Sequence, residues 1–389
     1  MEAAPKRTRR AVLFAASTVA FPAPLLMRGQ SFVLPAQSAS DEIGKAADDS
    51  AFDLASEGFD FLTREARDHD FFLLGELHGD NEVPNLLMRI WPVLWASRYR
   101  HVAAEMSPWA AEQYMRDLGG PQITTLWTRD QSAVIRSPAT AGDSNVIWGC
   151  DMEEVQPQYL IREMARLNPK DAKLQRMVTM TASGYRRSLA PELLDLLEAA
   201  QVHRDRAPNG ISLHANLLAT FKIEKDRAVP AARFSAQNRR ELLMKQQFVT
   251  HYRAGGHRDK VLVRFGQSHL FRGYDRARGI STLGNFIAEF AIAEHRSTFH
   301  VAAFGAGGQM NLNGRLVDAD QRRDEPGLGV LASHARFEAT VFDMRPLRPL
   351  LHRIDPADRT PAQRNLIEWA DGYDALICYR NVTPLMVGV

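Results

Sequence analysis

Four apolar runs in this chain break off into an ionisable residue at their carboxyl ends. The first, Phe71-Phe72-Leu73-Leu74, passes into Gly75-Glu76-Leu77-His78. Val102-Ala103-Ala104 ends in Glu105, Val146-Ile147-Trp148-Gly149-Cys150 ends in Asp151, and Val261-Leu262-Val263-Arg264-Phe265 leads into Gly266-Gln267-Ser268-His269. Between 71 and 149, strand-like runs at 71–75, 101–105 and 146–149 alternate with helical periods at 85–97 and 108–117. That alternation predicts parallel strands with helices on the sheet faces. From 155 to 255 only helical periods occur, at 158–167, 172–187, 192–206, 212–226 and 236–253, with Pro191, Pro208 and Pro230 as breakers. Strand patterns return at 261–265, 300–304, 340–343 and 374–379. The expected fold class is α/β: a central, mostly parallel sheet flanked by helices, with an inserted helical cap over 155–255. In open sheets of this kind ligands bind beyond the carboxyl ends of the strands, where the ionisable residues recur. The pattern points to an enzyme.

The N-terminus adds a separate expectation. Lys6, Arg7, Arg9 and Arg10 precede an apolar stretch over 11–27, and Ala36-Gln37-Ser38 offers a small-residue cleavage point, so residues 1–38 read as a signal peptide. Thr8-Arg9-Arg10-Ala11-Val12-Leu13 resembles the start of a twin-arginine signal; a Sec signal is the alternative. Pro22 and Pro24 interrupt a run already short for a bilayer span, and no cysteine follows to carry a lipid. The expectation is a bacterial protein, periplasmic or secreted, without a membrane anchor after cleavage. A small, polar linker is expected over 39–50 and the folded domain over 51–389.

Charge then excludes one class of partner. Five of the 48 Lys and Arg residues and one of the 46 Asp and Glu residues lie in 1–38, leaving 43 basic against 45 acidic residues beyond it. No basic stripe remains to argue for nucleic acid, so the expected partner is a small-molecule substrate. Cys150 and Cys378, the chain's 2 cysteines, are too few for a cysteine-rich zinc site. Both lie in strand-like runs, which leaves open a single disulfide or two buried thiols. Oligomeric state is also left open.

Side chains two apart on an extended segment point the same way, so Glu76 and His78 can share a face just past the Gly75 bend. A carboxylate beside an imidazole fixes its tautomer and raises its basicity, which makes His78 a candidate general base or metal ligand. His269 repeats the Gly-x-x-His strand exit. Glu105, placed where the chain turns into a helix, needs a cationic or hydrogen-bonding partner, or else is a helix cap; Asp151 divides between the same readings. The other ten histidines, His101, His251 and His300 among them, end no such strand and read as core or surface residues. Gly305-Ala306-Gly307-Gly308 lacks the Gly-Lys-Ser/Thr of a phosphate loop and reads as a flexible active-site or turn loop, and no Gly-x-Ser-x-Gly elbow supports a serine nucleophile.

Together these stretches resemble the erythromycin esterase-like family, within a superfamily that also holds haem-uptake lipoproteins and Tiki-type metalloproteases. The resemblance is carried by Leu74-Gly75-Glu76-Leu77-His78-Gly79, Ala104-Glu105-Met106, Gly149-Cys150-Asp151, Arg240-Glu241-Leu242-Leu243-Met244, Gly266-Gln267-Ser268-His269 and the tail from Tyr373 to Leu385. It implies an α/β core with a helical subdomain over a deep cleft, and hydrolysis of esters in which water, not a protein nucleophile, attacks; with the signal peptide, the expected protein is an exported hydrolase of an ester or related carbonyl. His78 then corresponds to the water-activating base, Glu76 and Glu105 to its acidic partners, His269 to a second acid/base or oxyanion-stabilising group, and Arg240 to an arginine entering the cleft on a helix. No cofactor is required on this reading. Leu77 and Asp80 depart from the esterase pattern, and paired Gly-x-x-His motifs also suit a divalent metal held by His78, His269 and Glu105. A metal-dependent hydrolase or protease of the Tiki type is therefore the first alternative. A non-catalytic haem- or ligand-binding protein is the second.

Overall fold

The computed structural model describes residues 36–385 except 117–126, 139–144, 154–155, 276–278 and 313. Twelve strands occur in it: β1 Ala51–Asp53, β2 Phe71–Glu76, β3 Tyr99–Ala104, β4 Ile147–Gly149, β5 Lys260–Gly266, β6 Tyr274–Asp275, β7 Ile280–Ser281, β8 Thr298–Gly305, β9 Gln309–Leu312, β10 Arg315–Asp318, β11 Ala339–Asp343 and β12 Ala375–Tyr379. Eight of them form one sheet in the order β1-β11-β12-β8-β2-β5-β3-β4. Only β11 runs against the rest: it is antiparallel to both β1 and β12, and every pairing from β12 to β4 is parallel. The mostly parallel α/β sheet read from the sequence is present.

Its strands read as continuous apolar runs because both faces are covered. Alternation along β2 sends Phe72 and Leu74 into one core cluster and Phe71 and Leu73 into the other. β5 divides in the same way, Leu262 to the first face and Val261, Val263 and Phe265 to the second. Burying each such side chain contributes roughly 1.5–3 kcal/mol, so the central strands hold the sheet's register firmly.

Among the described residues ten helices precede β5: α1 Ala36–Asp49, α2 Glu57–Asp68, α3 Glu82–Ala96, α4 Pro108–Arg116, α5 Arg129–Arg136, α6 Pro157–Leu167, α7 Ala172–Met180, α8 Ala190–Ala199, α9 Leu213–Arg227 and α10 Arg233–Ala254. Between β4 and β5 the described residues form helices and 3-10 turns joined by loops, with no strand among them, as the periodicity predicts. The expected helix over 172–187 stops at Met180, ahead of a turn at Gly184, whose φ of 103° leaves the helical region. This stretch is continuous with the core. Leu160, Ile161, Leu217 and Phe221 join one cluster, and Met244, Phe248 and Tyr252 of α10 join the other.

The linker expected over 39–50 is corrected. Residues 36–49 form α1, and Ile43 and Ala47, four apart on one helix face, are buried in the second core cluster. Small and polar composition hid a single apolar stripe. The cleavage point at 36–38 falls at the start of this helix, and most of the signal expected over 1–38 lies outside the described residues.

The open question of a disulfide is settled by topology. Cys378 is on β12 and Cys150 directly follows β4, with β8, β2, β5 and β3 between them, about 24 Å of sheet at the usual strand spacing. A bridge needs Cα atoms within about 7 Å. Both thiols are free and buried, and burial raises both, Cys378 to about 12. No helix among the described residues is long and apolar enough to cross a membrane.

Candidate active site

β2, β5, β3 and β4 are consecutive neighbours in the sheet and run the same way, so their carboxyl ends lie along one edge. That register gathers the residues read from the sequence. Glu76 ends β2 with His78 two residues on, Glu105 follows β3, Asp151 follows β4, and β5 runs directly into α11 Gln267–Leu270, which carries His269. Arg240 comes from α10, whose Arg240, Met244, Gln247 and His251 form one buried stripe against the sheet.

Glu105 is the hub. One carboxylate oxygen accepts from Arg240 Nη2 at 2.7 Å and lies 3.6 Å from His269 Nε2. The other accepts from the Gly266 amide at 2.7 Å and lies 3.8 Å from His78 Nε2. Arg240 also pairs with Asp151 through Nε at 3.0 Å and Nη2 at 2.5 Å, a two-pronged contact that fixes the guanidinium plane. On its far side, the His78 ring places Nδ1 3.5 Å from Glu76 Oε1. Glu76, Asp151, Arg240 and His269 are buried and the Glu105 side chain is 5% exposed, whereas the His78 side chain is 33% exposed. His78 is thus the open face of an otherwise enclosed cluster.

The close approach explains Gly266. A Cβ there would lie 2.7 Å from His78 Nε2 and 3.3 Å from Glu105 Oε2, so any side chain would displace the ring. Gly79, at φ 80°, has no room for a Cβ against the Asn311 carbonyl of β9, and the Asn311 amide donates back to the Gly79 carbonyl at 2.9 Å. The tail motif clamps the same loop: the Leu385 amide donates to the Gly79 carbonyl at 2.8 Å and the Asn81 amide to the Thr383 carbonyl at 3.0 Å. The Gly305–Gly308 loop is a packed turn, with the Ala306 amide bonded to Tyr379 O and the Gly308 carbonyl to the Ala319 amide.

Charge in this cluster is strongly redistributed. Burial opposes a proton on His78, but Glu105 and then Glu76 outweigh it and raise the ring from 6.5 to about 9. Burial pushes Glu105 up, yet His269, His78 and Arg240, helped by the Gly266 amide, hold it well below the usual carboxylate range. The cluster at rest is therefore an ionised carboxylate facing an imidazolium.

Sequence reading missed three members. Glu241, adjacent to Arg240, accepts from His269 Nδ1 at 2.5 Å and from the Leu283 amide, at the start of α12 Leu283–Ala293, at 2.8 Å. Its signal was a second charge inside a motif already quoted. Arg264 lies 2.5 Å from Glu76 Oε2, and a charge inside the apolar run of β5 was its signal. Asp80 accepts from the Val83 amide at 2.7 Å, and burial, against that hydrogen bond and with Glu76 and Glu82 adding to it, raises its carboxyl to about 7. It had been noted only as a departure from a motif.

The metal alternative meets a poor donor set. Both Glu105 oxygens are engaged, by a guanidinium and a backbone amide, and His269 Nδ1 is taken by Glu241. Among the described residues no group of three or more His, Cys, Asp or Glu side chains is placed to hold a metal ion. His78, His269 and Glu105 do not fit one.

No family model and no curated protein sequence matches the chain. Solved structures do. A Bacillus cereus protein aligns with a TM-score of 0.59 at 14% identity over 90% of this chain and 99% of its own. A succinoglycan biosynthesis protein aligns with a TM-score of 0.59 at 12% identity, again over 90% and 99%. A mutant of the erythromycin esterase EreC, in its open conformation, aligns with a TM-score of 0.55 at 11% identity over 85% of this chain and 95% of its own. At such identities the likeness is one of fold.

Proposed function

This chain has the erythromycin esterase-like fold, and from that premise we propose that it is a hydrolase that activates water against an ester or related carbonyl of a small-molecule substrate. The observation that carries the reading is the position of His78, its ring partly open to solvent and held between two buried carboxylates, Glu76 and Glu105. Once its proton is lost, His78 Nε2 is a strong base with room for water on its exposed edge. Glu76 keeps the proton on Nδ1. Glu105 balances the charge that appears on the ring when it takes the water's proton.

His269, whose Nδ1 is anchored by Glu241, directs Nε2 toward the cluster and serves as the second acid/base group. Arg240, fixed by Asp151, supplies positive charge for the developing oxyanion. The helices over 155–255 shape the substrate side of the cleft, since α10 delivers Arg240. The reaction uses no metal. The same reading places the mature protein outside the cytoplasm, and an N-terminus of exported protein that begins well before Ala36 would count against the cleavage point proposed.

One experiment tests the reading: a panel of esters, lactones and peptides assayed with the mature protein, with and without exhaustive chelation, and with His78→Ala as control. We expect an ester or lactone to be turned over, turnover to survive chelation, and His78→Ala to lose on the order of 10²–10⁴-fold. Turnover unchanged in His78→Ala would sink the assignment. Loss on chelation, restored by a divalent ion, would favour the metal-dependent alternative, and binding without turnover across the panel would favour a ligand-binding protein.

A further inference from the structure

We infer that Arg264 is a positioning residue that holds Glu76 in place and aimed at His78. The inference rests on the proposed role of His78. β5 is apolar from Val261 to Phe265 except for this arginine, whose side chain is 2% exposed. Its register places it beside Leu74 of β2 and Ala104 of β3. Leu74 and Glu76, two apart on β2, share a face, so Arg264 reaches forward along the strands to Glu76 at 2.5 Å. The other flank of the guanidinium is covered by the Trp127 ring, 4.7 Å from its carbon to the ring centroid.

A guanidinium taken out of water in the middle of a sheet is costly, and buried ion pairs are often replaceable by apolar residues without loss of stability. Stability alone does not account for this pair. What the pair does is visible on its other side: the second oxygen of Glu76 is the one 3.5 Å from His78 Nδ1. Trp127, Arg264, Glu76 and His78 therefore form a single line, in which a planar cation on an aromatic ring fixes the carboxylate, and the carboxylate fixes the proton on Nδ1. Arg264 does not meet substrate. Lysine would keep its charge and lose the planar stack.

The test compares full-length Arg264→Met and Arg264→Lys with the unsubstituted protein by nitrogen-15 spectra of the imidazole rings at pH 8, with His78→Asn to identify the His78 signals. The unsubstituted protein should show His78 as an imidazolium. Arg264→Met should shift His78 toward the neutral ring, because Glu76, no longer held by the guanidinium, turns away from Nδ1. Arg264→Lys should fall between the two. A His78 spectrum unchanged in folded Arg264→Met overturns the proposal, and if that variant does not fold, an Arg264→Lys spectrum identical to the unsubstituted protein overturns it. The spectra need no turnover, so a failed search for an ester would sink the hydrolase reading and leave this test standing. With p-nitrophenyl acetate, or whichever ester is turned over, kcat should fall on the order of a hundredfold in Arg264→Met, with KM within about twofold.

Discussion

Two sets of histidines in this molecule are treated in opposite ways. At the strand ends, His78 and His269 face carboxylates: Glu76 and Glu105 for the first, Glu105 and Glu241 for the second. Inside the core, His251 donates from Nε2 to the Gly149 carbonyl at 3.0 Å and His300 from Nδ1 to the Leu270 carbonyl at 2.9 Å. His251 also lies parallel to Trp148, ring centres 5.5 Å apart, with His101 stacked on the same indole at 4.4 Å. Burial lowers His251 to about 4 and His300 to about 3, whereas burial of His78 is overridden and the ring is raised to about 9. Depth alone does not set the charge of an imidazole: the carboxylate on each side of His78 stabilises the charged ring that a single backbone carbonyl leaves too costly to form in His251 and His300.

The largest expected effect breaks the comparison at its hub. Glu105→Gln keeps the shape of the side chain and removes the charge that Arg240, His78 and His269 share, so turnover of whichever ester the substrate panel yields should fall on the order of 10²–10⁴-fold. His251→Asn, equally buried but too short to reach the Gly149 carbonyl that Nε2 bonds, should leave kcat within about twofold and lower the unfolding midpoint instead. Steady-state rates and thermal melts of the two variants decide it. A kinetic defect in His251→Asn as large as that in Glu105→Gln would erase the distinction.

How much of this was legible in the sequence follows from what each residue depends on. Apolar runs that end in charge located β2, β3, β4 and β5, because strands buried on both faces leave that signature without help from the rest of the fold. Glu76, His78, Glu105, Asp151, Arg240 and His269 were named in advance, and the sheet order brings them together. Glu241 and Arg264 were not assigned roles, since each matters only through a partner distant along the chain, and sequence separation conceals the pairing of Arg264 with Glu76 or of Glu241 with His269. α1 was hidden by composition: two buried positions, Ile43 and Ala47, carry its packing among small and polar neighbours. β9 and β10 pair as strands too polar to register as a run, the β9 residues being Gln309, Met310, Asn311 and Leu312.

A second effect sharpens the contrast through pH. A base raised to about 9 is protonated in all but about one part in a hundred at pH 7, so kcat/KM should climb close to tenfold per unit and level off near pH 9. Glu76→Gln removes one of the two carboxylates that hold the proton, and its rising limb should move toward the ordinary histidine range. A rate already flat from pH 7 upward would mean that His78 is not the titrating base. A rate that falls above pH 9 would make His78 the acid.

The smallest effect concerns the core set and appears in stability. Both His251 and His300 are lowered in the folded chain, so below the ordinary value of 6.5 an unfolded chain takes up protons that the folded one refuses, down to about 4 and about 3. Their contribution is complete above 6.5 and is lost as pH falls through that window, at up to about 1.4 kcal/mol per pH unit for each ring. His78 acts in the opposite sense: its contribution is complete below 6.5 and fades as pH rises through about 9. Urea unfolding at pH 6.5, 5.5 and 4.5 isolates the core term when the protein and His251→Asn are compared, because carboxylate effects common to both cancel. The variant should lose stability more slowly on acidification, by up to about 1.4 kcal/mol per unit. Parallel curves would show that the His251 ring accepts a proton in the folded chain as readily as in the unfolded one, and that the core does not suppress its charge.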